Sequence, residues 1–156
     1  MSAAESPVAI VDTSCLYADR DRRALVEACN RGDMVGVWSP HIIAELNRVL
    51  TLKWLDKNGD TAESRRKLST SAKAMMDVLT KVFELVDTAP VDHEDAIEIN
   101  DRDDRHLVRA ARIAAARFVM SENTRDFPQS GADGRRLVEG IEFLTKADFF
   151  NRFAIN

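Results

Sequence analysis

A chain of 156 residues that is 45% hydrophobic and 31% charged has the balance of one globular domain spanning 1–156, and is neither disordered nor fibrous in composition. The formal net charge of -4 and pI near 5.4 give no basic footprint for nucleic acid, and no run of eighteen apolar residues offers a membrane span. Cys15 and Cys29 have no CxxC spacing and no histidines at zinc-finger distance, which argues against structural zinc or a disulfide framework and for a reducing, cytoplasmic setting.

Met1 to Pro7 is polar and small, without the basic end and apolar stretch of a secretory signal. Val8 to Val11 is an apolar, β-branched run that stops at Asp12, and Leu16 to about Cys29 is helix-compatible, so the start reads as strand, turn, helix. Met34 to Trp38 is a second strand. Ser39 and Pro40 then supply an N-cap hydroxyl and a first-turn proline for a helix with the apolar stripe Ile42, Ile43, Leu46, Val49 and Leu50. After the turn signal Asn58-Gly59, Ala62 to Val82 reads as a long helix leading to a short strand at Phe83 to Val86. Pro90 to Glu98 is irregular. An alanine-rich helix follows from Asp101 to Ala116, then a buried strand at Phe118 to Met120, and a polar loop covers Ser121 to Gly134. Ile141 to Leu144 and Lys146 to Phe153 read as a last strand and a last helix. Strands alternating with helices imply an α/β sandwich around a mostly parallel sheet, whose functional crevice lies beyond the carboxyl ends of the strands.

Acids gather where strands end. Asp12 directly follows the first strand, although Asp is also a common turn residue there. Thr13 and Ser14 add hydroxyls able to orient that carboxylate, or simply to cap the next helix. Glu45 lies roughly 100° from the centre of its helix's apolar stripe, at a boundary where a glutamate is usually a surface residue. Asp101, Asp103 and Asp104 open the alanine-rich helix; capping and the helix dipole explain part of that cluster, but capping does not need three carboxylates. Asp126 follows the strand Phe118 to Met120 through a short loop. Two carboxylates about 4 Å apart repel by roughly 4 kcal/mol at an effective dielectric near 20. A divalent cation removes that cost, and an oxygen-only ligand set suits Mg²⁺ or Mn²⁺.

These segments resemble the PIN-domain family, in particular its toxin-like bacterial branch. The matching pieces are Val8 to Ser14 with Leu16 and Ala18, Ser39 to Leu50 around Glu45, Asp101 to Ala111, Phe118 to Pro128, and Ile141 to Thr145 leading into Phe149 and Phe150. The resemblance implies a three-layer α/β/α sandwich with a mostly parallel sheet of four to five strands. It implies a Mg²⁺- or Mn²⁺-dependent ribonuclease site in which Asp12, Glu45 and Asp104 hold metal, with Asp103 competing for the third place. Asp126 and Asn123 form a last, assisting pair, and Ser14 and Ser121 support the ligands. Many relatives carry Asp where this chain has Asn123 and Thr where it has Ser121. The missing anion at 123 implies a second metal held weakly or only with substrate.

The function implied is endonucleolytic hydrolysis of RNA, as the toxin of a toxin-antitoxin pair, with an antitoxin partner and a homodimer. The acidic balance is compatible with this, because a carboxylate cluster lowers the total charge while Arg20, Arg22, Arg23 or the run Arg65, Arg66, Lys67 remains available for phosphates. Two rivals are a PIN-like RNA- or protein-binding scaffold without catalysis and a phosphoryl-transfer enzyme on a related α/β fold. The second needs another acid beside Asp12, where Ser14 stands. His41, His93 and His106 read as structural or surface residues, and Trp38 and Trp54 as packing residues.

Overall fold

Val8–Val11 (β1) has Ala9, Ile10 and Val11 fully buried, the continuous apolar pattern of a strand covered on both faces. The structure, a computed structural model, describes residues 4–88 and 105–156. β1 is followed by a 3₁₀ turn at Thr13–Cys15 and by α1, Asp19–Asn30. The helix expected from Leu16 thus starts three residues later, because the chain first makes this tight turn. Asp19 and Asp21 in the first turn of α1 suit the positive end of its dipole. Next come β2 (Val35–Trp38), α2 (Pro40–Asn58), α3 (Ala62–Val82) and β3 (Glu84–Leu85). Ser39 caps α2 by accepting a hydrogen bond from the Ile42 amide, and α2 ends at Gly59, whose φ of 82° is the left-handed conformation that glycine adopts without strain. After residue 104 the chain continues with α4 (Arg105–Ala114), β4 (Phe118–Met120), β5 (Leu137–Val138), β6 (Ile141–Leu144) and α5 (Lys146–Arg152).

The strands form one sheet in the order β3-β2-β1-β4-β6-β5, parallel except for β5. This is the helix-flanked, mostly parallel α/β sandwich expected, with six strands rather than four to five. The additional strand is β5, joined to β6 by Glu139-Gly140 with both φ angles positive (51° and 81°), the geometry of a tight two-residue hairpin. α1 packs on β2 and α3, α4 on β1 and β4, and α5 on β6. Trp38 is buried edge-on to Phe83, and Trp54 donates to the carbonyl and hydroxyl of Ser64, so both tryptophans are packing residues. Cys15 and Cys29 are free thiols. Among the described residues no helix is long and apolar enough to cross a membrane.

Gly36 is the tightest point of the sheet. A Cβ there would lie 2.7 Å from one Phe83 ring carbon, 2.8 Å from another and 3.2 Å from Cys29 Sγ. Phe83 is buried against Trp38 and has little room to give. Gly36→Ala is therefore expected to cost about 1–3 kcal/mol, read as a lowered urea midpoint at unchanged slope.

At the other edge, Glu142 of β6 is 2% exposed and its Oε1 accepts from Arg152 (2.6 Å) and Arg135 (3.2 Å). Burial pushes the carboxyl up, but the hydrogen bonds and charges of Arg152 and Arg135 outweigh it and hold the group below its ordinary value of 4.5. At neutral pH Glu142→Gln is expected to cost about 1–3 kcal/mol. The unfolded chain takes up the proton first, so this advantage of the native acid is present above the ordinary carboxyl range and disappears as pH falls through the lowered folded value. Urea unfolding of both proteins from pH 7 down to pH 3 measures the convergence.

Candidate active site

The sheet winds outward in two directions from its centre. β1 leads to β2 and β3 on one side, whereas β4 and β6 lie on the other. The junction of β1 and β4 is thus a topological switch point, where the two outgoing loops diverge and leave a crevice at the carboxyl ends of the strands. The register pairs Val11 with Met120, so the next residues, Asp12 and Ser121, stand side by side. The ladder runs one bond further, with the Asp12 amide donating to the Met120 carbonyl at 2.9 Å.

Asp12 is 7% exposed, and its Oδ2 accepts two hydroxyl hydrogen bonds, from Ser14 and from Ser121, each 2.8 Å. Each hydroxyl has a single proton to give. With both protons spent on Asp12, the 3.3 Å approach of the two serine oxygens is a contact and not a further bond. Their lone pairs accept from the chain after β4: Ser14 Oγ from the Glu122 amide (2.9 Å), Ser121 Oγ from the Asn123 amide (3.2 Å). Thr13 reaches the other way and donates to Glu45 Oε2 at 3.1 Å. The 3₁₀ turn therefore does more than begin a helix: its hydroxyls fix one oxygen of Asp12 and one of Glu45. Asp126 sits in a 3₁₀ turn at Thr124–Asp126, held by the side-chain amide of Asn123, and among the described residues it joins Asp12 through Asn123 and Ser121. Asp103 and Asp104 lie outside the described residues, as does His93.

The acids share one region. Tyr17's hydroxyl is pushed above its ordinary value by burial and then by the charges of Glu45 and Asp12. Cys15's thiol is pushed well up by burial, then by Asp12, Glu122 and Asp21, against a lowering hydrogen bond with Ser14. Among the described residues, no cationic side chain forms an ion pair with Asp12 or Glu45. Two carboxylates, each with one oxygen oriented by hydroxyls and, among the described residues, without an ion pair, fit a hard divalent cation.

A family model described as PIN domain matches residues 9–125, from within β1 to beyond the Ser121-Glu122-Asn123 segment. The chain belongs to the PIN-domain family. The match covers Asp12, Ser14, Glu45, Ser121 and Asn123 and stops one residue before Asp126. The PIN domain is a nuclease fold, which agrees with acids set at the switch point of a parallel sheet. No curated protein sequence matches the chain.

Several participants in this PIN domain were not singled out by sequence reasoning. Glu122 turns into the region, and its Oε1 accepts from the Lys146 amide at 3.0 Å. Lys53 Nζ lies 4.8 Å from the centre of the Tyr17 ring, whose hydroxyl feels the charges of Glu45 and Asp12. The larger omission is a histidine pair: His41 of α2 and His106 of α4 stack with centroids 3.7 Å apart and planes 14° from parallel. Burial first, then the charges of His41 and Arg109, push the His106 imidazole down to about 3, so it is neutral at physiological pH. His41 precedes Glu45 by one helical turn, a spacing that was visible as a shared helix face. Of the basic candidates, Arg22 braces the carbonyls of Leu16 and Tyr17, while Arg23, Arg65 and Lys67 pair with Asp19, Asp60 and Glu63.

Ser121 is buried and serves both Asp12 and the Asn123 amide. Ser121→Ala is expected to cost about 1–3 kcal/mol by leaving those groups short of a partner, whereas a change at the exposed Arg20 costs within about 0.5 kcal/mol. Denaturant titration of the two variants distinguishes them.

Proposed function

We propose that the protein is a Mg²⁺- or Mn²⁺-dependent endoribonuclease. The observation that carries this reading is the buried Asp12 carboxylate held by two serine hydroxyls at the β1/β4 switch point, with Glu45 oriented through Thr13 and, among the described residues, no ion pair to either. Asp12 and Glu45 would hold the ion, with Asp104 or Asp103 as third acid and Asp126 and Asn123 assisting. When bound, the ion supplies Lewis acidity and charge neutralisation for hydrolysis of a phosphodiester. The chain itself contributes orientation. Ser14 and Ser121 keep one oxygen of Asp12 engaged so that the other faces the crevice, and Thr13 does the same for Glu45. Glu45's remaining oxygen would serve in one of two ways, as a ligand of the ion or as the group that orients the attacking water. Lys53, above the Tyr17 ring, is placed to meet a phosphate of the RNA backbone despite the acidic total charge.

The toxin-like character of the matched segments supports a finer reading, a toxin restrained by an antitoxin, acting in the cytoplasm as a homodimer of single-domain chains.

The test is cleavage of a panel of structured and single-stranded RNAs with Mg²⁺, with Mn²⁺ and with chelator. Cutting is expected with either ion, to vanish with chelator, and to vanish in Asp12→Asn. Ser121→Ala is expected to retain cleavage reduced by about 10- to 100-fold, since it disturbs a ligand's orientation without removing the ligand. Undiminished cutting by a nuclease-free preparation of Asp12→Asn would overturn the assignment, and RNA binding without cutting under every condition would make the domain a scaffold.

A further inference from the structure

The histidine pair is not used by an oxygen-only centre. His41 and Glu45 stand one turn apart on α2, and His106 reaches them from α4. One ligand atom from each of the three residues lies within 4.8 Å of the other two. The second observation is independent of that clustering: His106 is only 8% exposed, and its Nδ1 has no hydrogen-bond partner among the described residues. An unsatisfied buried polar atom costs roughly 1–3 kcal/mol, and ring stacking on His41 does nothing to relieve it. A metal ion bound at Nδ1 does, in the tautomer that carries the ring proton on Nε2.

We propose that His41, Glu45 and His106 form a binding site for a divalent transition ion of the Zn²⁺, Co²⁺ or Ni²⁺ class, separate from the oxygen-only centre at Asp12 and sharing Glu45 with it. Two imidazoles and one carboxylate are a mixed nitrogen and oxygen set, which favours such ions over Mg²⁺. Three protein ligands leave positions open, the arrangement of a reactive rather than a purely structural site. Tetrahedral bonds of ~2.1 Å place ligand atoms ~3.4 Å apart, so the set must close by at most about 1.4 Å from the 4.8 Å observed. His41 is exposed and achieves this by turning its ring out of the stack. Arg109, close enough to act on His106, opposes a cation here, and the carboxylate ligand, Glu45, is the only anion of the three proposed ligands. The inference does not depend on ribonuclease activity.

The test uses the full chain without a histidine tag, stripped with chelator and titrated with Co²⁺ alone, so that no other ion competes for Glu45. Visible absorption and equilibrium dialysis read the binding. One equivalent of Co²⁺ is expected, with the absorption of a nitrogen-ligated ion. His41→Ala is expected to weaken binding at least about tenfold, and Asp12→Asn to preserve it. His106→Asn should weaken it similarly; if that buried change unfolds the chain, the exposed His41 position carries the test alone. Co²⁺ affinity unchanged in His41→Ala, or absorption lost in Asp12→Asn but kept in His41→Ala, overturns the proposal. A protein that binds Co²⁺ through His41 yet cuts no RNA sinks the nuclease reading and leaves this one standing.

Discussion

Parallel pairing of β1 with β4 is the constraint on which the candidate site depends. The two strands meet where the sheet reverses its winding direction, and their register brings Asp12 beside Ser121 across more than a hundred residues of chain. A one-residue slip of that pairing would turn the side chains to opposite faces and break the contact. Apolar residues buried on both sides of β1 and β4 prevent the slip, because Ile10, Val11, Val119 and Met120 have no solvent-facing alternative. Packing of the central strands thus sets the geometry of a polar group that contributes no apolar burial itself.

Asp12 is held by hydroxyls rather than by a cation, and the difference matters for chemistry. An arginine in the same place would satisfy the carboxylate more strongly, as Arg152 and Arg135 do for Glu142 at the far edge of the sheet. It would also neutralise the charge that the proposed ion would need. Two serines fix the carboxylate's direction while adding no charge, and by accepting from the Glu122 and Asn123 amides they tie that direction to the backbone after β4. The same chain therefore treats two buried acids in opposite ways: Glu142 is closed by guanidinium groups and stabilises the β6 edge, whereas Asp12 is held by hydroxyls and, among the described residues, pairs with no cation.

Much of this was legible from the sequence where local chemistry decides. The apolar runs at Val8 to Val11, Phe118 to Met120 and Ile141 to Leu144 are strands at those residues, Ser39-Pro40 starts its helix, and the helix at Ala62 to Val82 has the expected ends. Asp12 was recognisable because a strand ended on it. What escaped notice depended on distant partners or on weak local signals. β5 has only two residues and a Glu-Gly turn in place of the usual Asn-Gly or Asp-Gly, and the 3₁₀ turn at Thr13–Cys15 resembles a helix start in residue type. The stacking of His41 on His106 required α2 and α4 to be brought together. Read one at a time, each histidine was an ordinary surface or structural residue, although His41 one turn before Glu45 was a signal present in the chain.

Glu45 links the two proposed metal-binding arrangements. Thr13 engages Oε2, so this carboxylate is oriented from the Asp12 side, while the histidines approach it along α2 and from α4. A single carboxylate serving both must divide its oxygens. Occupation of one arrangement then changes affinity at the other, and the effect is reciprocal because it is a difference in binding free energy. Two divalent ions within a few ångströms repel, whereas a bridging carboxylate and the negative phosphate of a substrate reduce that repulsion. On the proposed assignments, the placement of Glu45 would make joint occupancy depend on an anionic ligand in the crevice.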